Sequence, residues 1–138
     1  MSAPQGSAAQ QRPDCLGSIL VIDDEPDVVD LLCVYFSDCG YEVVGATQGA
    51  DGLMLAHVHR PDVVLLDIMM PGIDGVQVLQ QLRLRWPDLP VIMLTAVADV
   101  EVARSTLRRG AFDFIPKPFE CEHVERVVAA AITARALA

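Results

Sequence analysis

Apolar positions along this chain fall into two kinds of segment that alternate from Ser18 onward. The first kind is a short unbroken run, as in Ser18-Ile19-Leu20-Val21-Ile22, Val63-Val64-Leu65-Leu66-Asp67 and Pro90-Val91-Ile92-Met93-Leu94-Thr95. Such runs are too short for a stable helix and rich in β-branched residues, so they read as strands buried on both faces. Tyr41 to Ala46 and Ala111 to Ile115 are weaker runs of the same type. The second kind has helical spacing. Val28, Leu31, Leu32, Tyr35, Phe36 and Cys39 follow Pro26 and stop at Gly40. Leu53, Leu55, Ala56 and Val58 lie between Gly49 and His59, ahead of Pro61. Val76, Leu79, Leu82 and Trp86 follow Asp74, a good N-cap, and end before Pro87. Val100, Ala103 and Leu107 predict a helix through about Arg109, ended by Gly110; Val124, Val127, Val128, Ala131 and Ile132 predict another from Glu120 to about Ala136.

Strict strand–helix alternation with near-continuous apolar strands implies a parallel sheet covered on both sides. Right-handed crossovers then leave few topologies, and the expected one is an α/β, flavodoxin-like (βα)5 three-layer sandwich with strand order 2-1-3-4-5. In that order strands one and three are neighbours at the switch point. The residues that end them, Asp23, Asp24 and Asp67, converge on one rim.

Composition narrows the class. With 138 residues, 52% of them apolar, the chain can fill one ordinary core, and no run approaches the ~18 apolar residues of a membrane span. Met1 to Arg12 is rich in Ala, Gln, Ser and Gly and has no apolar signal region, so residues 1–16 are expected to be a disordered leader before a domain at 17–136, in the cytoplasm. Four cysteines without a CxxC pair, and three histidines without ligand spacing, point to free thiols rather than a zinc site. A net charge of -9 disfavours direct binding to nucleic acid or an anionic membrane and favours a protein partner.

Three carboxylates in one crevice repel unless a cation neutralises them, and hard oxygen ligands favour Mg²⁺, with Asp24 and Asp67 as direct ligands and Asp23 through water. Strand four ends in Thr95, and Lys117 follows strand five by one short loop, so the same rim gains a hydroxyl and a positive charge. A metal, a cation and hydrogen-bond donors are what phosphoryl transfer requires around its equatorial oxygens. Asp67 is then the nucleophile that forms an aspartyl phosphate.

Asp23-Asp24, Asp67 with Met70-Pro71-Gly72 and Asp74-Gly75, Thr95-Ala96 and Lys117-Pro118-Phe119 together resemble the response-regulator receiver domain of two-component signalling, from about Ser18 to Ala136. The resemblance implies a sensor histidine kinase or phosphotransfer protein as phosphoryl donor to Asp67, and a backbone carbonyl of Met69 as a further Mg²⁺ ligand. It also implies a switch in which Thr95 moves toward the phosphoryl group and Phe114 swings inward, altering the face made by helix four, strand five and helix five. Phe114 lacks a phenol hydroxyl, so the signal would pass through packing. The resemblance also places Met69 and Val97 where side chains influence attack by water, and both are apolar, which predicts slow self-dephosphorylation. The implied protein is a regulator and not an enzyme acting on other substrates.

Taken singly, these residues have plainer uses: Asp67 as a strand-end turn residue, Asp23-Asp24 as a loop cap, Thr95 as a helix cap, Lys117 as an exposed loop lysine. His57 and His59 suit the end of helix two, and Arg104, Arg108 and Arg109 the end of helix four, through the helix dipole. Those arginines also lie on the output face and leave a homodimer through it open. Two other functions compete: a phosphorylation-independent binding module, which would be expected to lack Asp67, Lys117 or an acidic ligand, and an aspartate-nucleophile phosphatase, which needs a second acid where Met69 stands. With only two residues after helix five, the chain is either a stand-alone regulator or a receiver taken from a longer protein.

Overall fold

The computed structural model describes residues 15–137, the side chain of Val97 excepted; the expected leader lies almost wholly outside the described residues. Five strands, β1 (Ser18–Ile22), β2 (Glu42–Ala46), β3 (Val63–Asp67), β4 (Val91–Thr95) and β5 (Asp113–Pro116), form one parallel sheet in the order β2-β1-β3-β4-β5. Between and after them run α1 (Pro26–Asp38), α2 (Gly49–His59), α3 (Gly75–Arg85), α4 (Val100–Arg108) and α5 (Cys121–Leu137), with a 3-10 turn at Val97–Asp99 leading into α4. Every residue of β1, β3 and β4 is buried. That pattern follows from their sequences, which are apolar apart from Ser18 at the start of β1 and the strand-ending Asp67 and Thr95, and so suit only the middle of a covered sheet.

Alternate strand residues feed two cores. Leu20, Ile22, Val64, Leu66 and Met93 pack with Ala56, Val78, Leu79, Leu82 and Ala103 from α2, α3 and α4. Ile19, Val21, Leu65, Ile92 and Leu94 pack on the other side with Leu32, Phe36, Val124, Val128 and Ala131 from α1 and α5. The three layers match the expected sandwich. Tyr35 ties α1 to α5 by donating its hydroxyl to Glu125 at 2.6 Å.

Several helical positions differ from the expected inward faces. Leu31, Val58 and Leu107 are exposed, while Val29, Val78 and Thr106 are buried in their helices. Thr106 can sit at zero exposure because its hydroxyl is satisfied within the helix by the Ala103 carbonyl, which leaves its methyl to pack. Strand five starts later than Ala111, since the Ala111 N–H bonds back to the Thr106 carbonyl and closes the end of α4 before the chain extends. All four cysteines are free, and no helix among the described residues is long and apolar enough to cross a membrane.

Candidate functional site

The C-terminal ends of β1, β3, β4 and β5 meet at one rim because parallel strands all deliver their last residues to the same edge. Asp23 follows β1 and is fully buried. Its backbone N–H is bonded to the Ala46 carbonyl of β2, and its Oδ1 accepts from the Glu25 N–H at 2.9 Å, so the acidic turn is fixed before Pro26 opens α1. Asp67 ends β3 at 6% exposure. The loop after it is anchored by the Gly75 N–H, which donates to the Ile68 carbonyl at 2.7 Å. A side chain at Gly75 would collide with the Asp67 carbonyl oxygen and come within 2.7 Å of the Ile68 Cα, so only glycine lets α3 begin this close to the strand end. Asp74 caps α3 as expected and forms a reciprocal capping box with Gln77.

Lys117 crosses the rim. Its backbone N–H is held by the Thr95 carbonyl at 2.6 Å, and its Nζ lies 2.8 Å from Asp23 Oδ2, 3.1 Å from Glu25 Oε1 and 3.7 Å from Asp67 Oδ1. Thr95 is fully buried and donates its hydroxyl to the Ala96 carbonyl at 3.0 Å. Phe114, in register with Met93 of β4, is half-buried against the core beneath α4. Met69 is 55% exposed at the mouth of the site, and the side chain of Val97 lies outside those described. Asp23, Asp67, Lys117 and Thr95 therefore sit together, with Asp24 beside them. Sequence alone signals Glu25 only as the continuation of the acidic run after β1.

Electrostatics single out Asp67. Burial first, then the charge of Asp23 and a hydrogen bond shared with Asp24, push its carboxyl up to about 7, with Lys117 pulling the other way. Burial would lower the Lys117 ammonium, but the Asp23, Asp67 and Glu25 carboxylates outweigh it and hold its pKa above the usual lysine value. One lysine thus leaves the pocket under-neutralised. Carboxylate oxygens of Asp23, Asp24 and Glu25 lie within 4.8 Å of one another, a hard-oxygen donor set next to a carboxyl that is itself raised by crowding. That set fits a small divalent cation such as Mg²⁺.

The sequence profile of the response regulator receiver domain matches residues 19–129. The chain belongs to the response regulator receiver family. Regulatory protein AtoC of Escherichia coli is 40% identical over 117 residues, covering 85% of this receiver chain and 25% of AtoC. The DNA-binding transcriptional regulator RpaA of Synechocystis is 40% identical over 108 residues, covering 77% of this chain and 45% of RpaA. Among solved structures, a receiver domain protein of Clostridium thermocellum superposes with TM-score 0.85 at 30% identity, covering 88% of this chain and 98% of the other. NtrX of Brucella abortus also gives 0.85, at 36% identity, over 88% of this chain and 28% of NtrX. The receiver chain thus spans between a quarter and a half of the length of the curated relatives it matches.

Proposed function

We propose that this receiver accepts a phosphoryl group on Asp67 from a sensor histidine kinase or phosphotransfer protein, in a Mg²⁺-dependent reaction, and that its α4/β5/α5 face then controls an output partner or domain. The observation that carries the reading is Lys117 Nζ bridging Asp23 at 2.8 Å and Asp67 at 3.7 Å across two neighbouring strand ends. In the transfer, an Asp67 carboxylate oxygen attacks phosphorus, the P–N bond to the donor histidine breaks, and the imidazole leaves with the electron pair. Asp23, Asp24 and Asp67, with the Met69 carbonyl, would hold Mg²⁺, which supplies charge neutralisation at the phosphoryl oxygens.

Lys117 is already charged and aimed at the Asp67 carboxylate, so it stabilises negative charge on the phosphoryl group without reorganisation. Thr95 must give up the Ala96 carbonyl to reach the phosphoryl group, and that exchange moves the start of the segment leading into α4. Phe114 packs against the same core as Ala103 of α4 and follows the shift through packing. The protein acts as a regulator in the cytoplasm, with no direct nucleic-acid contact by this domain and with the α4/β5/α5 face available to a second copy. Arg104 of that face is paired with Glu101 of its own helix at 3.4 Å, an exposed contact that a partner can displace.

Incubation with acetyl phosphate and Mg²⁺ should add one phosphoryl mass to the intact wild-type protein and none to Asp67→Asn. Equal labelling of the two would remove Asp67 from this role and favour a module that binds its partner without phosphorylation.

A further inference from the structure

At the opposite end of the sheet, where the strands begin, arginines converge in a chain that is otherwise acidic. Ala56, Arg60, Pro61, Trp86, Leu89 and Arg135 line a cavity of about 110 Å³. Arg60 ends α2 in the left-handed conformation, φ 50°, which glycine adopts more cheaply. Its Nε donates to the His57 carbonyl at 3.1 Å, and its guanidinium carbon stands 5.9 Å from the centre of the Trp86 ring. Arg135, near the end of α5, reaches the Pro61 and Asp62 carbonyls, each at 3.4 Å.

Neither arginine forms an ion pair among the described residues. The adjacent acid, Asp62, is committed elsewhere: its Oδ2 accepts from the Ser18 N–H at 2.8 Å and the Ser18 hydroxyl at 3.3 Å. Arg83, outside the cavity's lining but within electrostatic reach of Arg135, has its Nη1 on the Pro87 and Gly110 carbonyls while its buried Nε and Nη2 have no acceptor among the described residues. Burial lowers the pKa of Arg83, Asp88 opposes this, and the like charge of Arg135 lowers it further. The helix dipole accounts for a cation at the end of α2 but not for two guanidinia from separate elements lining one cavity.

We propose that this cavity binds a small oxyanion, a phosphate or a carboxylate, between Arg60 and Arg135 beside the Trp86 ring. Guanidinium donors match two-oxygen acceptors in a fork geometry, and the cavity admits a small anion rather than a nucleotide. An occupant bridges the end of α2 to the end of α5, so it would clamp the last turn of α5 onto the segment that leads into β3.

Trp86 is the single tryptophan of the chain, which makes emission a local reporter. The full chain is titrated with inorganic phosphate and, separately, with acetate, at ionic strength held constant with chloride. A saturable change with either oxyanion is expected, with the midpoint raised at least fivefold in Arg60→Gln and in Arg135→Gln; the more effective anion identifies the preferred shape. Thermal melting and acetyl phosphate labelling of both variants, expected to match wild type, establish that they are folded. Absence of saturation with both anions, or an unchanged midpoint in both folded variants, overturns the proposal.

Discussion

Asp67 combines near-complete burial with two acidic neighbours, and that combination has a thermodynamic signature of its own. Its folded-state pKa of about 7 lies above the ordinary value of 3.8, so the folded chain holds this proton more tightly than the unfolded chain does. The contribution to stability is therefore full below about pH 4, falls as pH rises toward 7, and stays low beyond it. Asp67→Asn removes the effect. In Mg²⁺-free buffer the variant should melt above wild type, by a margin that is larger at pH 8 than at pH 5, and Mg²⁺ should narrow the margin by stabilising wild type. A margin that is constant across pH would refute the crowding of this carboxyl. Met69 bears on a different quantity. Its exposed thioether at the mouth of the site cannot orient a water, so Met69→Asn should shorten the phosphorylated lifetime several-fold when decay is followed by intact mass in Mg²⁺.

Among the elements, the start of α3 controls where Asp67 sits. Gly75→Ala forces methyl against backbone at Asp67 and Ile68 and should cost about 1–3 kcal/mol in urea unfolding while also reducing phosphorylation. Asp74→Ala loses the capping box for about 1 kcal/mol but leaves the strand end in place, so its phosphorylation should persist. The central strands were legible in the sequence because burial on both faces leaves an apolar run no alternative reading. Helical faces were less so: α2 carries apolar residues all round, and its Val58 and Met54 face solvent although their side chains suit a core. Thr106 was invisible because a self-satisfied hydroxyl looks the same in sequence as a solvated one. The rim of Asp23, Asp67, Thr95 and Lys117 was legible because each stands where an apolar strand stops. The position of Glu25 on Lys117 was not, since it depends on how the loop after β1 turns.

Across the whole molecule, the two proposed sites lie at opposite ends of the strands. The acidic rim lies at their C-terminal ends, and Trp86 lies with Leu89 just before β4 begins, so a five-residue strand of roughly 17 Å separates them. Mg²⁺ should therefore leave Trp86 emission nearly unchanged at concentrations that shift the melting temperature; a large change would mean that the two ends are coupled in the unphosphorylated state. Asp23, Asp24 and Glu25 gather where a cation and a phosphoryl group would be received, and the arginine-lined cavity at the other end is their counterpoint. Asp67 alone should become an acyl phosphate. Borohydride reduces an aspartyl phosphate to homoserine, so peptide mapping after acetyl phosphate, Mg²⁺ and borohydride treatment locates the acceptor directly. Homoserine at position 67 only is expected; conversion at Asp23 or Asp24, or none at Asp67, would remove Asp67 as the sole acceptor.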